Sequence, residues 1–203
     1  ARVVSCNTTG LVRTLFPLDR DVGVERVNAT LIRRGADPSD NKGSGLNTLE
    51  PSLKLPTHHG PDVQTIMPWV NITTMAVKAP TTLMHVHCII ADLKKEVRES
   101  DVLAAWDDVP RVRLVSGKRG IKGTANIMEF AKDLDHHRGD FMEIAVWQDG
   151  IKVAGKTLYY YQAVHQESDV VPENVDCIRS MMKMEPDAAR SIKKADDSLG
   201  IGK

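Results

Sequence analysis

The order of the predicted strands and helices limits the fold of this chain more than any other feature of the sequence. Apolar residues recur with a period of two in strands and about 3.6 in helices. Strands are predicted at 24–34, 71–79, 83–93, 112–115, 141–147, 151–153 and 158–164, and helices at 6–18, after 61, from 100, from 124 and twice after 168. Because strands and helices do not alternate regularly, we expect an α+β fold with a mixed, largely antiparallel sheet covered by helices.

Three segments carry finer expectations. The turn residues Asp149 and Gly150 predict a hairpin between 141–147 and 151–153. Residues 35–57 lack periodicity and predict a long loop, which inside a domain is usually functional. Alternate residues of a strand point to opposite sides of its sheet. In 83–93, one side should carry Met84, Val86, Cys88 and Ile90, and the other His85, His87 and Ile89.

Composition excludes several classes of function. Of the 203 residues, 41% are hydrophobic and 27% charged, which indicates a globular core. Basic and acidic residues both number 27, so charge gives no argument for a nucleic acid or membrane-surface partner. No apolar run approaches the roughly 20 residues of a membrane helix. The odd number of widely spaced cysteines (Cys6, Cys88 and Cys177) argues against disulfides and for the reducing cytoplasm.

The first candidate for chemistry is Cys6. Residues 2–4 predict the end of a strand and 6–18 a helix, so this thiol should lie at a helix N-terminus. That position favours an anion and can lower a cysteine pKa toward the thiolate. A buried cysteine acting as a small apolar residue is the alternative. The polar neighbours Ser5, Asn7, Thr8 and Thr9 favour a nucleophile, and we expect this thiol to be the most reactive of the three.

Five separated motifs carry a family resemblance. They are 5–11, with the sequence Ser-Cys-Asn-Thr-Thr-Gly-Leu, 33–38, 55–62, 80–85 and 162–174. In this order they resemble the archaeal type (class II) of phosphorylating glyceraldehyde-3-phosphate dehydrogenase over nearly the whole chain, and five ordered motifs are far more specific than one.

The resemblance implies a domain organisation. No Gly-x-Gly-x-x-Gly follows a predicted strand, so no dinucleotide fold is visible. In the resembled family a nucleotide-binding domain precedes the cysteine, and we therefore expect the catalytic half of a longer protein. Residues 1–168 would form the catalytic domain. The helices of 169–203 would pack back on the absent nucleotide-binding domain, and the family implies a homotetramer.

The resemblance also implies a set of site residues. It makes Cys6 and His85 catalytic, with His85 removing the proton of the hemithioacetal that the thiolate forms with the aldehyde. The implied substrate contacts are Ser5, Cys6, Asn7, Arg33, His58, His59 and Gly60. The implied cofactor contacts are Arg34 and Gln166. How Arg33 and Arg34 divide between phosphate and cofactor stays open, and His87, on the same strand face, competes with His85.

The function implied is oxidative phosphorylation of glyceraldehyde 3-phosphate. The partners are this aldehyde, inorganic phosphate and NAD or NADP, and the product is 1,3-bisphosphoglycerate. The alternatives are a related phosphorylating or hydrolytic aldehyde dehydrogenase, or a non-catalytic binding module of the same fold. No metal is expected, since His85 and His87 with Cys6 or Cys88 lack the spacing typical of zinc sites, and Cys88 points away.

The last helix gives a structural expectation. Its apolar residues recur at helical spacing and form a modest stripe that must be buried against something. The stripe consists of Ala188, Ile192, Ala195 and Leu199. If its partner is the absent domain, part of it should be exposed here, together with Met181 and Met184.

Overall fold

The computed structural model describes residues 5–35 and 47–202. Its helices are α1 (Cys6–Asp21), α2 (His59–Gln64), α3 (Glu99–Asp107), α4 (Thr124–Asp133), α5 (Val171–Met181) and α6 (Ala188–Leu199). Its strands are β1 (Val24–Arg34), β2 (Glu50–Pro51), β3 (Asn71–Ala79), β4 (His85–Leu93), β5 (Val112–Val115), β6 (Ile144–Trp147), β7 (Lys152–Ala154) and β8 (Thr157–Val164). Among these residues, no helix is long and apolar enough to cross a bilayer. The strand predicted at 2–4 and residues 36–46 of the predicted 35–57 loop lie outside the described residues.

The strands form one mixed sheet. In the described part of the chain its order is β2-β3-β1-β4-β8-β6-β5, with β7 paired to β8. Of the seven strand pairs that the described residues form, β1–β3 and β5–β6 are parallel and the other five are antiparallel. The α+β prediction with a largely antiparallel sheet is therefore confirmed.

The hairpin predicted across Asp149 and Gly150 is wrong. β6 lies between β5 and β8, so both of its edges are already hydrogen-bonded. The chain instead passes through a short 3-10 turn, Gln148–Gly150, and β7 pairs with β8. The turn dipeptide is thus present, but the strand that follows it finds a different partner.

The two faces of the sheet differ sharply in burial. On β4, Ile89 is 2% exposed, whereas its neighbour Ile90 is 41% exposed. The inward face packs against α1 and α3, which contribute to the apolar core Leu11, Leu15, Leu18, Val102, Ala105 and Trp106. Burying one such large apolar side chain contributes about 1.5–3 kcal/mol. The side assignments predicted within 83–93 agree with this burial for residues 85–90.

Close contact between α1 and β8 positions the start of α1. A Cβ atom on Gly10 would lie 2.6 Å from Cγ2 of Val164, closer than two non-bonded carbon atoms can approach. Gly10 therefore permits a helix–strand distance that no other residue allows. This brings the first turn of α1, with Cys6, against the inward face of the sheet.

The two C-terminal helices are tied to the rest of the structure by ion pairs. On α5, Glu173 pairs with Arg13 of α1 at 2.6 Å, and Arg111 contacts both Asp176 of α5 and Asp196 of α6 at 2.7 Å. Much of their apolar surface is nevertheless uncovered, since Met181 and Ile192 are 72% and 41% exposed.

The exposure expected for the terminal stripe is therefore found in part. Ile192, Met181 and Met184 are exposed, and Leu199 is half-buried. Ala195 is buried within the chain.

Candidate active site

Cys6 is the first residue of α1, as the sequence predicted. Ser5 is the N-cap, and its Oγ accepts a hydrogen bond from the backbone N–H of Thr8 at 3.4 Å. Capping by serine satisfies one of the donors that a helix start leaves open. The half-buried thiol thus lies at a fixed helix N-terminus, next to a polar cap.

The electrostatics of Cys6 differ from the expectation. Its pKa is raised to about 11, first because burial disfavours the thiolate and second because the Asp169 carboxylate is nearby. The backbone N–H of Asn7 and the guanidinium groups of Arg33 and Arg34 lower the pKa, but not enough to compensate. Within the described residues the helix N-terminus alone does not produce a thiolate. The greater reactivity of Cys6 over Cys88 and Cys177 stays a prediction.

His85 lies at the start of β4 with its ring inside the protein. The backbone N–H of Arg34 donates to its Nδ1 at 2.9 Å, so the neutral ring carries its proton on Nε2. That Nε2 is buried and has no hydrogen-bond partner among the described residues. Burial and the positive charges of Arg33 and Arg34 lower the pKa of His85 to about 3. His85 is therefore a neutral imidazole with an unused donor.

His87 is two residues further along the same face, but both of its nitrogens are occupied. Its Nδ1 accepts from Nε2 of Gln162 at 3.0 Å, and its Nε2 is 2.9 Å from Oδ1 of Asn7. Thr14 continues the chain by donating to Oε1 of Gln162 at 2.7 Å. His87 therefore has a structural position in a buried network, which favours His85 as the reactive histidine.

The side chains of Arg33 and Arg34, at the end of β1, have different surroundings. Arg34 is buried, and its Nε donates to Oε1 of Gln166 at 2.8 Å while its Nη1 pairs with Glu167 at 3.0 Å. Nε of Arg33 is also buried, yet it has no hydrogen-bond partner in the described part of the chain. Leu31 of β1 pairs with His87 of β4 on the inward face of the sheet. Arg33 and His85 each lie two residues away along these strands, so their side chains are on the inward face as well.

His58, His59 and Gly60 lie at the start of α2, beside the N-cap of α1. His59 is buried, and its Nδ1 is 3.5 Å from Oγ of Ser5. Burial, followed by the neighbouring His58 and Arg33, lowers the pKa of His59 to about 4. His58 is exposed and pairs with Asp62 at 2.8 Å. The N–H of Gly60 donates to Oγ1 of Thr74, so this group is directed into the sheet.

The structure thus brings most of the predicted site residues together. Ser5 contacts His59, Arg34 contacts both His85 and Gln166, and Arg33 is close enough to affect the pKa values of Cys6, His59 and His85. Asn7 is the exception, because its side-chain oxygen is bound to His87 inside the protein. Its role as a substrate contact, like that of Gly60, stays a prediction.

Sequence reasoning missed the residues that support this site. Thr14 and Gln162 hold His87 and Asn7, and Tyr160 contacts Thr14 at 3.0 Å. Their only sequence signal is a polar residue on the buried side of a helix or strand. Asp169 was also missed, although it lies within a matching motif and affects Cys6.

The geometry offers little to a metal ion. Only His58, His59 and Asp62, among the described residues, place three possible ligand atoms within 4.8 Å of one another. His85, His87 and the cysteines form no such group there. The expectation of no metal stays a prediction.

Comparisons with known proteins agree with this arrangement. Residues 5–150 match the family model described as "Glyceraldehyde 3-phosphate dehydrogenase, C-terminal domain". Proteins named glyceraldehyde-3-phosphate dehydrogenase from Picrophilus torridus and Methanococcoides burtonii are 51% and 52% identical over 200 and 201 residues, or 98% of this chain in each case. One from Thermococcus kodakarensis is 52% identical over 200 residues.

This chain spans only 58–59% of the length of these three relatives. The match nevertheless covers most of the chain and includes the segment that carries Cys6, Arg33 and His85. The chain belongs to the family of glyceraldehyde 3-phosphate dehydrogenase C-terminal domains.

Proposed function

We propose that this chain is the catalytic part of a phosphorylating glyceraldehyde-3-phosphate dehydrogenase. The observation that carries the proposal is a half-buried thiol at a helix N-terminus together with two buried donors, Nε2 of His85 and Nε of Arg33, that have no hydrogen-bond partner among the described residues. Buried donors without partners are rare in folded proteins and indicate a missing acceptor. An aldehyde oxygen that becomes an oxyanion is such an acceptor.

The first chemical step forms a bond from Cys6 to the substrate. The Cys6 thiol first gives up its proton to water. The Sγ thiolate then attacks the aldehyde carbon, and the carbonyl oxygen becomes the negatively charged oxygen of a hemithioacetal. The Nε2–H of His85 donates to this oxygen, as donors of an oxyanion hole do. Because Nδ1 already accepts from the Arg34 backbone, donation by His85 requires no change of tautomer.

This assignment refines the role expected for His85. A base at Nε2 would need the other tautomer and would lose the bond from Arg34. Its pKa of about 3 also makes the ring a weak base. A hemithioacetal oxyanion held by Nε2–H needs no further deprotonation before hydride leaves, so His85 promotes the step by stabilising charge.

Hydride leaves the former aldehyde carbon, and a Cys6 thioester remains. Inorganic phosphate then attacks the thioester carbonyl, the C–S bond breaks, and 1,3-bisphosphoglycerate and the Cys6 thiolate are released. Arg33 is our candidate for holding phosphate, because its Nε has no partner in residues 5–35 and 47–202, whereas the guanidinium of Arg34 already contacts Gln166 and Glu167. On the side of Cys6 that carries the helix cap, Ser5 contacts His59, which follows His58 in the sequence.

The hydride acceptor we propose is NAD or NADP, which supplies an oxidised nicotinamide ring. The side chain of Gln166 is suited to bind the carboxamide group of such a nicotinamide ring. Its Oε1 accepts from Arg34, which leaves its amide N–H groups available as donors. The half-buried Gln166 is held in place by the Arg34 bond, so it can orient a bound ring beside the site.

The rest of the proposal concerns assembly. Exposed apolar residues on α5 and in the segment between α5 and α6, including Ile178, Met182 and Met184, support docking of a nucleotide-binding domain on residues 169–203. Exposed apolar residues on the outward sheet face, including Ile32, Met75 and Tyr161, support self-association into a homotetramer. We place the assembled enzyme in the cytoplasm.

The experiment measures reduced nicotinamide formed by the full-length protein from glyceraldehyde 3-phosphate, with and without inorganic phosphate. We expect turnover that needs phosphate, is lost in Cys6→Ser and persists in Cys88→Ser. Acid quenching without phosphate should trap the acyl group on Cys6 in peptide mapping. Oxidation that is indifferent to phosphate would instead indicate a hydrolytic enzyme, and no acylation of Cys6 would indicate a non-catalytic module.

A further inference from the structure

His87 is a fully buried histidine that takes no part in the proposed reaction. It is 0% exposed and lies on the inward face of β4, two residues beyond His85. Its ring nitrogens contact two other elements, since Nδ1 accepts from Gln162 of β8 and Nε2 is 2.9 Å from Oδ1 of Asn7 on α1. Because Nδ1 accepts, the neutral ring carries its proton on Nε2 and donates it to Asn7.

The contacts of His87 belong to a closed hydrogen-bonded circuit. Asn7 contacts His87, and His87 contacts Gln162. Thr14 donates to Oε1 of Gln162 at 2.7 Å, which returns the circuit to α1. Asn7 and Thr14 are about two helical turns apart, so both lie on one face of α1. The circuit therefore attaches this face to the sheet at two points.

Between these two points the helix fits closely over the circuit. Gly10 lies there, and a Cβ atom at this position would be 3.3 Å from Nε2 of Gln162 and 3.4 Å from Cε1 of His87. Apolar packing alone is non-directional, whereas hydrogen bonds have a preferred length and angle. The circuit therefore fixes where the start of α1 lies on the sheet.

His87 also connects the elements that carry the two proposed reactive side chains. Its partner Asn7 follows Cys6 in the first turn of α1, and His85 precedes it on the same face of β4. Two residues of an antiparallel strand span about 7 Å. If the first turn of α1 shifted on the sheet, Cys6 would move with Asn7, whereas His85 would stay with its strand.

We propose that His87 is a positioning residue, which through its hydrogen bond to Asn7 holds the Cys6 thiol in register with Nε2 of His85. A misplacement of about 1 Å between reacting groups can slow a reaction about a hundredfold, so one bond at this place has a measurable effect. If the circuit only stabilised the fold, loss of either bond of His87 would have the same consequence. The inference rests on the proposed roles of Cys6 and His85.

Two substitutions separate the two bonds of His87. The side-chain amide of glutamine ends as many bonds from Cα as Nε2 of histidine does, and that of asparagine as many as Nδ1. His87→Gln therefore keeps a donor for Asn7, whereas His87→Asn keeps an acceptor for Gln162 and loses the bond to Asn7. Each variant loses one buried hydrogen bond, so denaturant unfolding should show similar losses of stability in both.

The measurement is single-turnover acylation of the full-length protein by saturating glyceraldehyde 3-phosphate, with nicotinamide cofactor and without inorganic phosphate. We expect His87→Asn to slow acylation about five- to tenfold and His87→Gln to stay within about twofold of the wild type. Alkylation of Cys6 by iodoacetamide needs no donor from His85 and should stay within about twofold in both. Equal acylation rates in the two variants, or alkylation that slows in parallel with acylation, overturn the proposal.

A second variant keeps the test valid if His87→Asn fails to fold. Asn7→Ala removes the same hydrogen bond from its other partner, and alanine is favourable within a helix. At saturating substrate it should slow acylation by the same factor as His87→Asn. An acylation rate equal to that of the wild type overturns the proposal.

Crystal structures of the full-length variants give a readout that does not depend on activity. Absence of acylation in the wild type would contradict the proposed function alone. The first turn of α1 should still be displaced on β4 in His87→Asn and Asn7→Ala, and should stay in place in His87→Gln. An unchanged distance between Sγ of Cys6 and Nε2 of His85 in all three variants overturns the inference.

Discussion

The two faces of the sheet show how one strand serves two purposes. On the inward side of β4, His85 and His87 are buried beneath α1, within reach of Arg34, Asn7 and Gln162. On the outward side, Ile90 is exposed, and Val86 and Cys88 are half-buried. Side chains alternate with a period of two, so a shift of one residue would exchange the two sets completely.

The difference in burial between the two faces shows where in this fold a reaction can be catalysed. Inward polar groups are removed from water, in surroundings where the local dielectric constant is low. A donor that lacks a hydrogen-bond partner there has a large electrostatic effect. Outward groups keep contact with water until another surface covers them. The comparison predicts that inward substitutions change reaction and pH behaviour, whereas outward substitutions change association.

The largest effect is expected at His85. His85→Asn should lower kcat by about 10²–10⁴-fold, because the new amide does not place a donor where Nε2 lies. His87→Asn should lower kcat much less and should instead destabilise the protein through the buried network. Single-turnover acylation kinetics and denaturant unfolding of both variants separate these effects. A larger loss of acylation in His87→Asn would mean that the two histidines have been assigned the wrong way round.

A second, smaller effect is expected at Arg33, at the mouth of the inward face. Arg33→Ala should raise KM for glyceraldehyde 3-phosphate by about 10–100-fold, since a charge-assisted hydrogen bond contributes roughly 1.5–3 kcal/mol. KM for unphosphorylated glyceraldehyde should change little. Arg34→Ala is the control and should raise KM for the nicotinamide cofactor with either aldehyde. Equal effects of Arg33→Ala on both aldehydes would exclude a phosphate contact.

Much of this comparison could be predicted from the sequence. Period-two alternation in 83–93 assigned both faces of β4, and the turn at Cys6 placed the thiol at a helix start. Both patterns are local in the sequence, and each side chain is oriented by which side of its strand or helix is buried. The mixed sheet also followed from the order of the elements.

The rest depends on contacts between distant residues. β7 pairs with β8 because β6 has no free edge, and nothing near Gly150 encodes that. The pKa of Cys6 is raised by burial and by Asp169, which is 163 positions away in the sequence. Local reasoning accounted for the helix N-terminus but not for these opposing contributions.

A third prediction concerns acid sensitivity of the inward face. His85 and His59 have pKa values of about 3 and 4, below the usual 6.5 of an unfolded chain. The unfolded state therefore binds more protons from about pH 6.5 downward, and stability falls as pH falls through this window. At pH 5 each histidine should cost roughly 2 kcal/mol relative to pH 8.

Denaturant unfolding between pH 8 and pH 5 measures this loss. His85→Asn should reduce the slope of unfolding free energy against pH by about 1.2 kcal/mol per unit between pH 6 and pH 5. An unchanged slope would mean that His85 is protonated in the folded protein.

The smallest effect is expected on the outward face of β4, where Ile90 can be compared with its inward neighbour Ile89. Ile89→Thr places a hydroxyl in the core and should cost about 1–3 kcal/mol of unfolding free energy. Ile90→Thr keeps the β-branched shape at a half-exposed position and should cost less than about 0.5 kcal/mol in the protomer. Under the proposed assembly it should instead weaken association, which analytical ultracentrifugation of the full-length protein detects. Equal loss of stability in both variants, with unchanged association, would show that the outward face is covered within the chain itself and would remove the distinction between the two faces.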